Sequence, residues 1–301
     1  MKKLAFSLLA GMLLFSSCSN NNDGSISKTP VDYVNPYIGN ISHLLVPCYP
    51  TIGRPNGMMR IYPNRADFSS ATMNGFPVAV IAHRSASGMT FNPTQVADSE
   101  LKQVMQYSYD LEKITPYSWN VYLDEAKINV DYAPASQSAV YNFKFNKDGE
   151  AKLIISGRSS EVKMNPDGSV EGFREERSRN VFNNTLLYFY LESEQPVKSN
   201  SYVGEGTGSL ALNFGDVKEV NIRYGISFIS TEQAKKNLSK EITGFDPKPI
   251  AMESKRIWNE SLGKIKIEGG REQDKVVFYT SLYRTYERMI NISEDGRYWS
   301  A

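Results

Sequence analysis

The sequence is poor in the side chains that build transition-metal sites. Its two cysteines are Cys18 and Cys48, and its two histidines are His43 and His83. A tetrahedral zinc site requires three or four clustered nitrogen and sulfur ligands. Because these four residues are few and separated, the sequence predicts no zinc centre. A solitary histidine in a core or loop is more often structural than catalytic.

The chain also lacks an excess of either charge. It carries 34 basic and 33 acidic side chains, a net charge of +1. Nucleic-acid binding needs clustered positive charge to neutralise phosphates, so a nucleic-acid partner is excluded. With 41% hydrophobic residues, 18 Tyr and 14 Phe among its 301 residues, the chain is too apolar to be disordered.

The only long apolar run lies at the N-terminus. Lys2 and Lys3 precede the apolar residues 4–15, which predicts a secretory signal peptide over residues 1–17. As a helix this run rises about 18 Å, too little to cross a hydrocarbon core about 30 Å thick.

The sequence Phe-Ser-Ser-Cys at residues 15–18 resembles a bacterial lipobox, in which the cysteine is lipidated. The alternative is an ordinary cleavage site with an incidental cysteine. The lipobox implies a membrane partner through a lipid anchor at Cys18, followed by a polar tether over residues 18–30. The protein is then expected at the bacterial outer membrane or cell surface, with the periplasmic face as the alternative. Lipidation of Cys18 leaves Cys48 without a partner for an intrachain disulfide.

Residues 31–100 are rich in proline, at positions 36, 47, 50, 55, 63, 77 and 93. Prolines at this density exclude long helices and central strands, so the region is expected to be irregular, with short strands. Long ordered loops often carry function. This region is therefore a candidate binding surface.

From residue 119 apolar and polar side chains alternate, which is typical of strands that bury one face. The predicted strands are residues 119–123, 127–132, 141–145, 151–156, 184–191, 209–214 and 219–229. Residues 186–191 are apolar on both faces and are expected to lie centrally. Short strands at this spacing predict an antiparallel β-sandwich over residues 31–230.

Three polar segments between or within these strands receive structural interpretations. Asp148-Gly149 and Asp167-Gly168 predict hairpin turns. The glycine-rich residues 204–208 lack the Lys-Ser/Thr pair of a phosphate loop and are interpreted as a turn. The alternating charges of residues 174–179 are typical of a solvated strand face.

The pattern becomes helical after residue 230. Residues 231–270 are predicted to be a linker with two helices, and a third helix is predicted over residues 272–290. Apolar side chains cover most of the circumference of the third helix, so it is expected to be buried among other helices. We interpret residues 271–301 as the start of a truncated helical domain. The alternative is a helix that packs on the sandwich.

Acidic residues are the remaining candidates for chemistry. A glycosidase needs two carboxyl groups that flank the scissile bond, and no sequence spacing identifies such a pair here. The most promising cluster is Glu294-Asp295-Gly296, because an Asp-Gly turn can present a carboxylate. A plain surface turn is the alternative.

Five ordered motifs resemble one enzyme family. Residues 34–39 (VNPYIG) are similar to the YVNPFIG opening of glycoside hydrolase family 92, the exo-acting α-mannosidases. Residues 224–242 are similar to its GISFIS…A..NL..EI motif, and residues 258–298 follow its WN..L…FYTALYR…DGRY run in order and spacing. By these motifs the chain is identified as a member of the family.

The resemblance implies a mainly β fold: an antiparallel β-sandwich, linker helices and the first helix of a truncated (α/α)6 barrel. It also implies a calcium-dependent, inverting exo-α-mannosidase. The family's catalytic acid and base and most of its calcium ligands belong to the barrel beyond Ala301. No catalytic or metal-binding residue is therefore assigned here, and the chain alone is expected to be inert.

The family's N-terminal domain is expected to contribute sugar-binding loops, and this sequence departs from the family pattern there. Residues 48–58 stand where many members have TFPGATVPFGM, and residues 81–88 retain only the first histidine of GFSHTHLSGTG. His83 and Arg84 are suitable donors to sugar hydroxyls, and Asp295 is a suitable acceptor. The predicted substrate-binding residues are His83, Arg84, Arg54, Asp295, Glu294 and His43.

The favoured hypothesis is the N-terminal portion of a surface-anchored exo-α-mannosidase whose partners are α-mannose-containing glycans. The alternative is a lipid-anchored carbohydrate-binding module that never had a barrel. A purely structural surface lipoprotein is disfavoured, because ordered loops with His, Arg and Trp indicate a ligand. The discriminating observation is whether the reading frame continues past Ala301 into helices that bear acids.

Overall fold

The computed structural model describes residues 28–65, 67–81, 88–176 and 185–298. The predicted signal peptide, Cys18, His83 and Arg84 lie outside these ranges.

The helices are α1 Thr231–Glu241, α2 Pro247–Leu262 and α3 Glu272–Thr285, with 3-10 helices at Pro30–Tyr33 and Asp98–Glu100. The strands are β1 Ile52–Gly53, β2 Arg60–Ile61, β3 Thr72–Asn74, β4 Phe76–Pro77, β5 Met89–Thr94, β6 Gln106–Thr115, β7 Ser118–Leu123, β8 Ile128–Pro134, β9 Ser138–Phe145, β10 Ala151–Gly157, β11 Ser160–Met164, β12 Val170–Glu176, β13 Thr185–Ser193, β14 Ser199–Tyr202, β15 Ser209–Gly215 and β16 Glu219–Ser227. None of the helices in the described ranges is long and apolar enough to cross a lipid bilayer.

Two antiparallel sheets pack face to face. The larger has the order β11-β12-β13-β16-β9-β8-β7-β6-β3, and the smaller has the order β14-β15-β10-β5-β4. Aromatic rings from both sheets meet between them. The ring centroid of Phe91 on β5 lies 5.7 Å from that of Tyr141 on β9 and 5.1 Å from that of Tyr224 on β16. The predicted mainly β fold and antiparallel β-sandwich are confirmed.

The strand that was predicted to lie centrally does so. β13 pairs with β12 on one side and β16 on the other. Phe189 faces the sandwich core, whereas Tyr190 packs with Leu238 of α1. The helix lies close to the sheet because Gly225 on β16 has no side chain: a Cβ there would lie 2.2 Å from the carbonyl oxygen of Ala234. The glycine of the YGISFIS motif therefore serves helix-on-sheet packing.

The two Asp-Gly pairs that were predicted to form hairpins have different roles. Asp167-Gly168 joins β11 to its neighbour β12, so the hairpin predicted there is confirmed, and Gly168 has a φ of +85°. Asp148-Gly149 follows β9 in the larger sheet and precedes β10 in the smaller sheet. The hairpin predicted there is wrong, because the turn carries the chain from one sheet to the other. The turn residues are the same, and long-range packing decides where the next strand pairs.

Pro93 lies in a strand inside the smaller sheet, where the proline-rich sequence was expected to exclude central strands. β5 lies between β10 and β4. However, β4 pairs only through Phe76 with Phe91 and Pro77 with Thr90. Among the described strands, the Pro93 end of β5 therefore has a neighbour on one side only, which is the situation of an edge-strand proline.

α3 ends at Thr285 and not at residue 290 as predicted. The carbonyl groups that follow bind partners outside the helix. Asn56 donates its backbone N–H to the carbonyl of Tyr286 at 3.1 Å and its side-chain amide to that of Met289 at 2.8 Å. Arg60 donates to the carbonyl of Glu287. Because the loop at residues 56–60 satisfies these carbonyls, a further helical turn is not needed.

α3 buries one face and not its whole circumference. Tyr279 and Tyr283 pack with Trp258 and Leu262 of α2. Elsewhere on the helix Val277 is 57% exposed. Within the ranges that the structure describes, α3 packs on one α-helix, so the predicted burial among several helices is not observed there.

Candidate functional site

Helix α3 holds together the loops that carry the sequence motifs identified above. The guanidinium of Arg284 donates to the backbone carbonyls of Pro36 at 2.8 Å and Ile38 at 3.2 Å, and also to that of Tyr49. One side chain thus fastens both ends of residues 36–49. The VNPYIG and LYR motifs, which lie far apart in the sequence, are in direct contact.

The charge of Arg284 is balanced by a buried carboxylate. Arg284 Nη1 lies 2.7 Å from Glu287 Oε1, and the two side chains are 16% and 8% exposed. Burial raises the pKa of the Glu287 carboxyl, and the neighbouring Arg284 opposes that shift. The pair is therefore an internal ion pair that stabilises the loop at residues 36–49 on α3.

A second buried arginine joins the end of α3 to the segment before residue 82. Arg60 donates to the backbone carbonyls of Val80 at 3.1 Å and Ile81 at 2.8 Å, and to that of Glu287. Burial lowers its pKa, an effect that Glu287 opposes. Ile81 directly precedes the segment that contains His83 and Arg84. Arg60 therefore positions Val80 and Ile81, the described residues that come shortly before His83 and Arg84 in the sequence.

An exposed apolar loop adjoins these contacts. We call residues 37–46 the apolar loop, because its hydrophobic side chains are turned to solvent and Leu44 is 96% exposed. His43 lies in this loop and is exposed. The other exposed hydrophobic residues of the loop are Tyr37, Ile38, Ile41, Leu45 and Val46. These exposed hydrophobic residues make the apolar loop a candidate interaction surface.

Arg54 lies beside α2. Its Nε donates to Ser254 Oγ at 2.9 Å, and Ser254 Oγ donates in turn to the carbonyl of Pro134 at 2.6 Å. Burial lowers the pKa of Arg54. In this conformation Arg54 connects the loop after β1 to the sandwich through α2.

Glu294 is buried against the start of α1. Its Oε1 accepts the backbone N–H of Phe228 at 2.9 Å, and its Oε2 accepts the side-chain amide of Asn237 at 2.7 Å. Asn237 also donates to the carbonyl of Ile226 at 2.9 Å. The Glu294 carboxylate therefore connects its own segment to the end of β16 by hydrogen bonds.

Asp295 forms the predicted Asp-Gly turn, with φ values of +56° at Asp295 and +76° at Gly296. Its carboxylate pairs with Lys236 at 2.7 Å and with Lys240, both on α1. Hydrogen bonds from these two lysines and from Gln233 hold the pKa of Asp295 below its usual range. The turn is thus docked on α1 through its carboxylate.

Replacing Asp295 by asparagine is expected to lower the melting temperature at pH 7 and to have less effect in acid. The fold depresses the pKa of this carboxyl below its ordinary value of 3.8. Its stabilising contribution is therefore present above that value and is lost as the pH falls through the folded-state pKa. Thermal unfolding of wild type and Asp295→Asn from pH 7 to pH 2 measures the difference.

The matched control is Asp216→Asn, at an exposed aspartate between β15 and β16. Its effect on the melting temperature at pH 7 should be small. A destabilisation by Asp295→Asn that does not shrink in acid would show that the ion pairs with Lys236 and Lys240 do not stabilise the fold.

The described residues do not fit a calcium site. Within residues 28–65, 67–81, 88–176 and 185–298, no three His, Cys, Asp or Glu side chains are grouped closely enough to hold a metal ion. Calcium takes six to eight oxygen ligands. Glu287, Glu294 and Asp295 are already engaged by Arg284, by backbone and amide donors, and by lysines.

Three side chains that organise this region, Arg60, Arg284 and Glu287, were not selected from the sequence. A signal for Arg60 was present, because a single arginine inside the apolar residues 58–61 has to find buried partners. Arg284 and Glu287 have the i, i+3 spacing of a helical ion pair, but the carbonyl groups that accept from Arg284 are more than 200 positions away. The structure brings them together with residues 36–49. The other predicted site residues lie elsewhere: Arg54 contacts α2, His43 lies in the apolar loop, and Glu294 and Asp295 contact α1.

Comparison with solved structures gives close matches of fold. An inverting mannosidase of family GH92 from Bacteroides thetaiotaomicron VPI-5482 superposes with a TM-score of 0.74 and 25% identity, over 86% of this chain and 39% of its own. A GH92 α-mannosidase from Bacteroides thetaiotaomicron gives 0.75 and 17% identity, over 89% and 42%. The chain thus spans about two fifths of the length of these proteins.

A secreted glycosidase of uncharacterised activity from the fungus Arthroderma benhamiae is 36% identical over 86 residues, which are 27% of this chain and 11% of the fungal protein. Two family models match consecutive parts of the sequence. The Glycosyl hydrolase family 92 N-terminal domain matches residues 33–235, and the family 92 catalytic domain matches residues 233–301. Since the first match alone covers more than half of the chain, this protein belongs to glycosyl hydrolase family 92.

Proposed function

We propose that this chain is the N-terminal portion of a calcium-dependent, inverting exo-α-mannosidase that degrades α-mannose-containing glycans. The observation that carries the proposal is the likeness to the inverting GH92 mannosidase, at 25% identity over 86% of this chain. A GH92 α-mannosidase of the same fold has been solved with mannoimidazole, which supports a ligand that resembles mannose.

Inverting hydrolysis divides the chemistry between two carboxyl groups. One protonates the leaving oxygen while the other activates a water on the opposite face of the sugar, at a separation of about 6.5–9.5 Å. We place both groups outside this chain, in the part of the relatives' length that it does not span. The engagement of Glu287 by Arg284 and of Glu294 by Phe228 supports this division.

The contribution of this chain is then to bind and orient the sugar. Arg284 holds residues 36–49, and Arg60 holds Ile81, which comes shortly before His83 and Arg84 in the sequence. The apolar loop, with His43 exposed on it, offers a surface for the catalytic domain or the glycan. Arg54, Glu294 and Asp295 remain proposed sugar contacts that would have to exchange their present partners. Calcium, held by residues outside this chain, would orient and distort the mannose.

The test is a comparison of the 301-residue chain with the product of the same reading frame continued past codon 301. Both are incubated with α-linked mannobiosides, with added calcium and with a chelator, and the anomer of the released mannose is followed by NMR. The longer product should release β-mannose only when calcium is present. The 301-residue chain should release none.

Two results would contradict the proposal. Hydrolysis by the 301-residue chain would place the acid and base within it. A stop codon after Ala301, or an inactive longer product that still binds mannan, would indicate the carbohydrate-binding module instead.

We further propose that the protein is anchored at the bacterial outer membrane or cell surface through lipid on Cys18. The lipobox-like residues 15–18 support this location. In cells fed radiolabelled palmitate, wild type and Cys48→Ala should be labelled equally, whereas Cys18→Ala should carry no label. Because Cys48 is the other cysteine of the chain, it is the matched control. Equal labelling of all three would contradict an anchor at Cys18.

A further inference from the structure

A groove runs along the larger sheet beside the first residues of α1. Its first part is a cavity of about 420 Å³, which is lined by β11 and β14, an edge strand from each sheet. Its second part, of about 400 Å³, shares Glu171 and Thr231 with the first. Each volume lies within the range of small-molecule sites, about 300–1,000 Å³. Because the two parts adjoin, the groove has room for a ligand longer than a single ring.

Aromatic rings line the first part of the groove. Phe173 on β12 and Tyr188 on β13 are direct cross-strand partners, and their ring centroids lie 6.0 Å apart. They lie on the outer face of the sheet, because Leu187 and Phe189 on either side of Tyr188 belong to the core. Both rings are only partly buried, and Tyr202 on β14 is 48% exposed. These rings offer flat apolar surfaces on which a ligand ring can pack.

Charged side chains flank the rings. Glu161 on β11 is exposed and lies opposite Phe173 in the register. In the next row Lys163 pairs with Glu171 at 2.8 Å. A carboxylate accepts hydrogen bonds, and an ammonium donates them. A sugar ring presents C–H groups on its faces and hydroxyl groups around its rim, so it matches flat rings with donors and acceptors at their edges.

The glycine-rich residues 204–208 border this cavity. They form the predicted turn, which joins β14 to β15. Gly204 and Gly206 have φ values of +79° and +77°, a conformation that favours glycine. The carbonyl of Thr207 accepts the backbone N–H of Val162 on β11 at 2.9 Å, and Thr207 lines the cavity. The turn is therefore fixed against the edge of the larger sheet.

The opposite face of β12 carries Arg174. Residues 174–179 were predicted to form a solvated strand face. For Arg174 that prediction is wrong, because its side chain is partly buried and a Cβ built on Gly88 would lie 0.1 Å from its Nη1. Alternation along β12 leaves Phe173 in the groove, and no arginine is among the described lining residues.

The charges of the groove do not favour an anionic ligand. Glu171 is paired with Lys163, and the Asp167 carboxylate accepts from the backbone N–H and the hydroxyl of Ser169. An excess of acid repels phosphate and carboxylate groups, whereas a sugar hydroxyl can donate to Glu161. Along the described lining, acids outnumber bases: Glu161, Asp167, Glu171 and Glu232 against Lys163 and Lys235.

We propose that this groove binds a neutral glycan chain, with one sugar ring on Phe173 and Tyr188 and its hydroxyls toward Glu161. The next sugars lie along the groove toward α1. The site holds the chain without cleaving it. None of its described lining residues belongs to the contacts of Arg284, Arg60 or Asp295, and the proposal does not depend on the proposed mannosidase activity.

The test is native electrophoresis of the intact chain in gels that contain yeast mannan, galactomannan, β-glucan, xylan or gelatin. At least one of the four polysaccharides should slow the protein, and gelatin should not. Calorimetry then compares the tetrasaccharide and the monosaccharide of the polysaccharide that binds. The tetrasaccharide should bind at least about tenfold more tightly, because it contacts more of the groove. Its affinity should not change as sodium chloride is raised, since the ligand is uncharged.

Two variants link the binding to the groove. Tyr188→Ala should weaken the tetrasaccharide about fivefold or more, which is typical of truncating an aromatic contact. Tyr202→Ala should weaken it by a smaller factor. Tyr202 is exposed, so its replacement should not change the melting temperature. The control is Tyr122→Ala, at a partly buried tyrosine on β7 of the same sheet, which should leave binding unchanged.

Four results would overturn the proposal. Unchanged migration in all four polysaccharide gels excludes a glycan ligand. Slower migration in gelatin alone indicates a peptide instead. Affinity that falls steeply with sodium chloride indicates a charged ligand. Binding that survives both Tyr188→Ala and Tyr202→Ala places the glycan elsewhere on the molecule.

Discussion

Replacing Arg284 by alanine is expected to lower the free energy of unfolding by about 3–5 kcal/mol, which is typical of breaking a buried ion pair at one partner. The change leaves the Glu287 carboxylate buried without its cation. It also removes the donor to the carbonyls of Pro36, Ile38 and Tyr49. Urea unfolding followed by tryptophan fluorescence measures the loss.

The control for Arg284→Ala is Arg271→Ala. Arg271 pairs with Asp274 near the start of α3, but the two side chains are 77% and 52% exposed, so its replacement should change stability much less than that of Arg284. The double variant Arg284→Ala with Glu287→Gln should recover part of the loss, because it removes the uncompensated charge. Equal costs for Arg284→Ala and Arg271→Ala would show that the loop at residues 36–49 does not depend on the buried pair.

Replacing Phe76 by alanine is expected to lower the free energy of unfolding by about 3–5 kcal/mol, because it opens a cavity in the core. Phe76 is fully buried, although β4 is only two residues long. Its ring centroid lies 5.1 Å from that of Trp119 and 6.0 Å from those of Tyr107 and Tyr141. Urea unfolding gives the free energy, and near-ultraviolet circular dichroism reports the aromatic packing.

Leu111→Ala is the control for Phe76→Ala. Leu111 is 75% exposed on β6, so its loss should change stability by no more than about 0.5 kcal/mol. A cost for Phe76→Ala below about 1 kcal/mol would indicate that the neighbouring rings collapse into the vacated space. The aromatic cluster would then be more adaptable than its packing suggests.

Alternating burial made seven of the strands visible in the sequence, whereas β6, β11 and β14 were not predicted. Along β9, for example, Tyr141, Phe143 and Phe145 face the core in alternation, and such a period of two is visible in the sequence. The helices α1 and α2 were equally visible, since Ser230 and Asp246 cap their first turns. Local signals of this kind need no knowledge of distant residues.

The predictions that were wrong all depended on distant partners. The end of α3 is set by hydrogen bonds to Asn56 and Arg60. The path after Asp148-Gly149 is set by the sheet in which β10 finds its neighbours. In each case the local sequence permits two outcomes, and tertiary packing selects one.

The candidate site, too, was predicted only in part. Family motifs identified the loops, and His43, Arg54, Glu294 and Asp295 were selected within or near them. The contacts of Arg284 with Pro36 and of Arg60 with Ile81 were not predicted. A hydrogen bond from a side chain to a distant backbone carbonyl leaves no pattern in the sequence.

The sequence by itself determined the class of fold, the order of the elements and the family, because periodicity, capping and motif order are local or linear properties. Only the tertiary structure decided which charges are buried and paired, where α3 stops and how the motif loops meet α3. These outcomes depend on desolvation and on hydrogen bonds between residues as far apart as Pro36 and Arg284. Such terms depend on distance in space and not on distance along the chain.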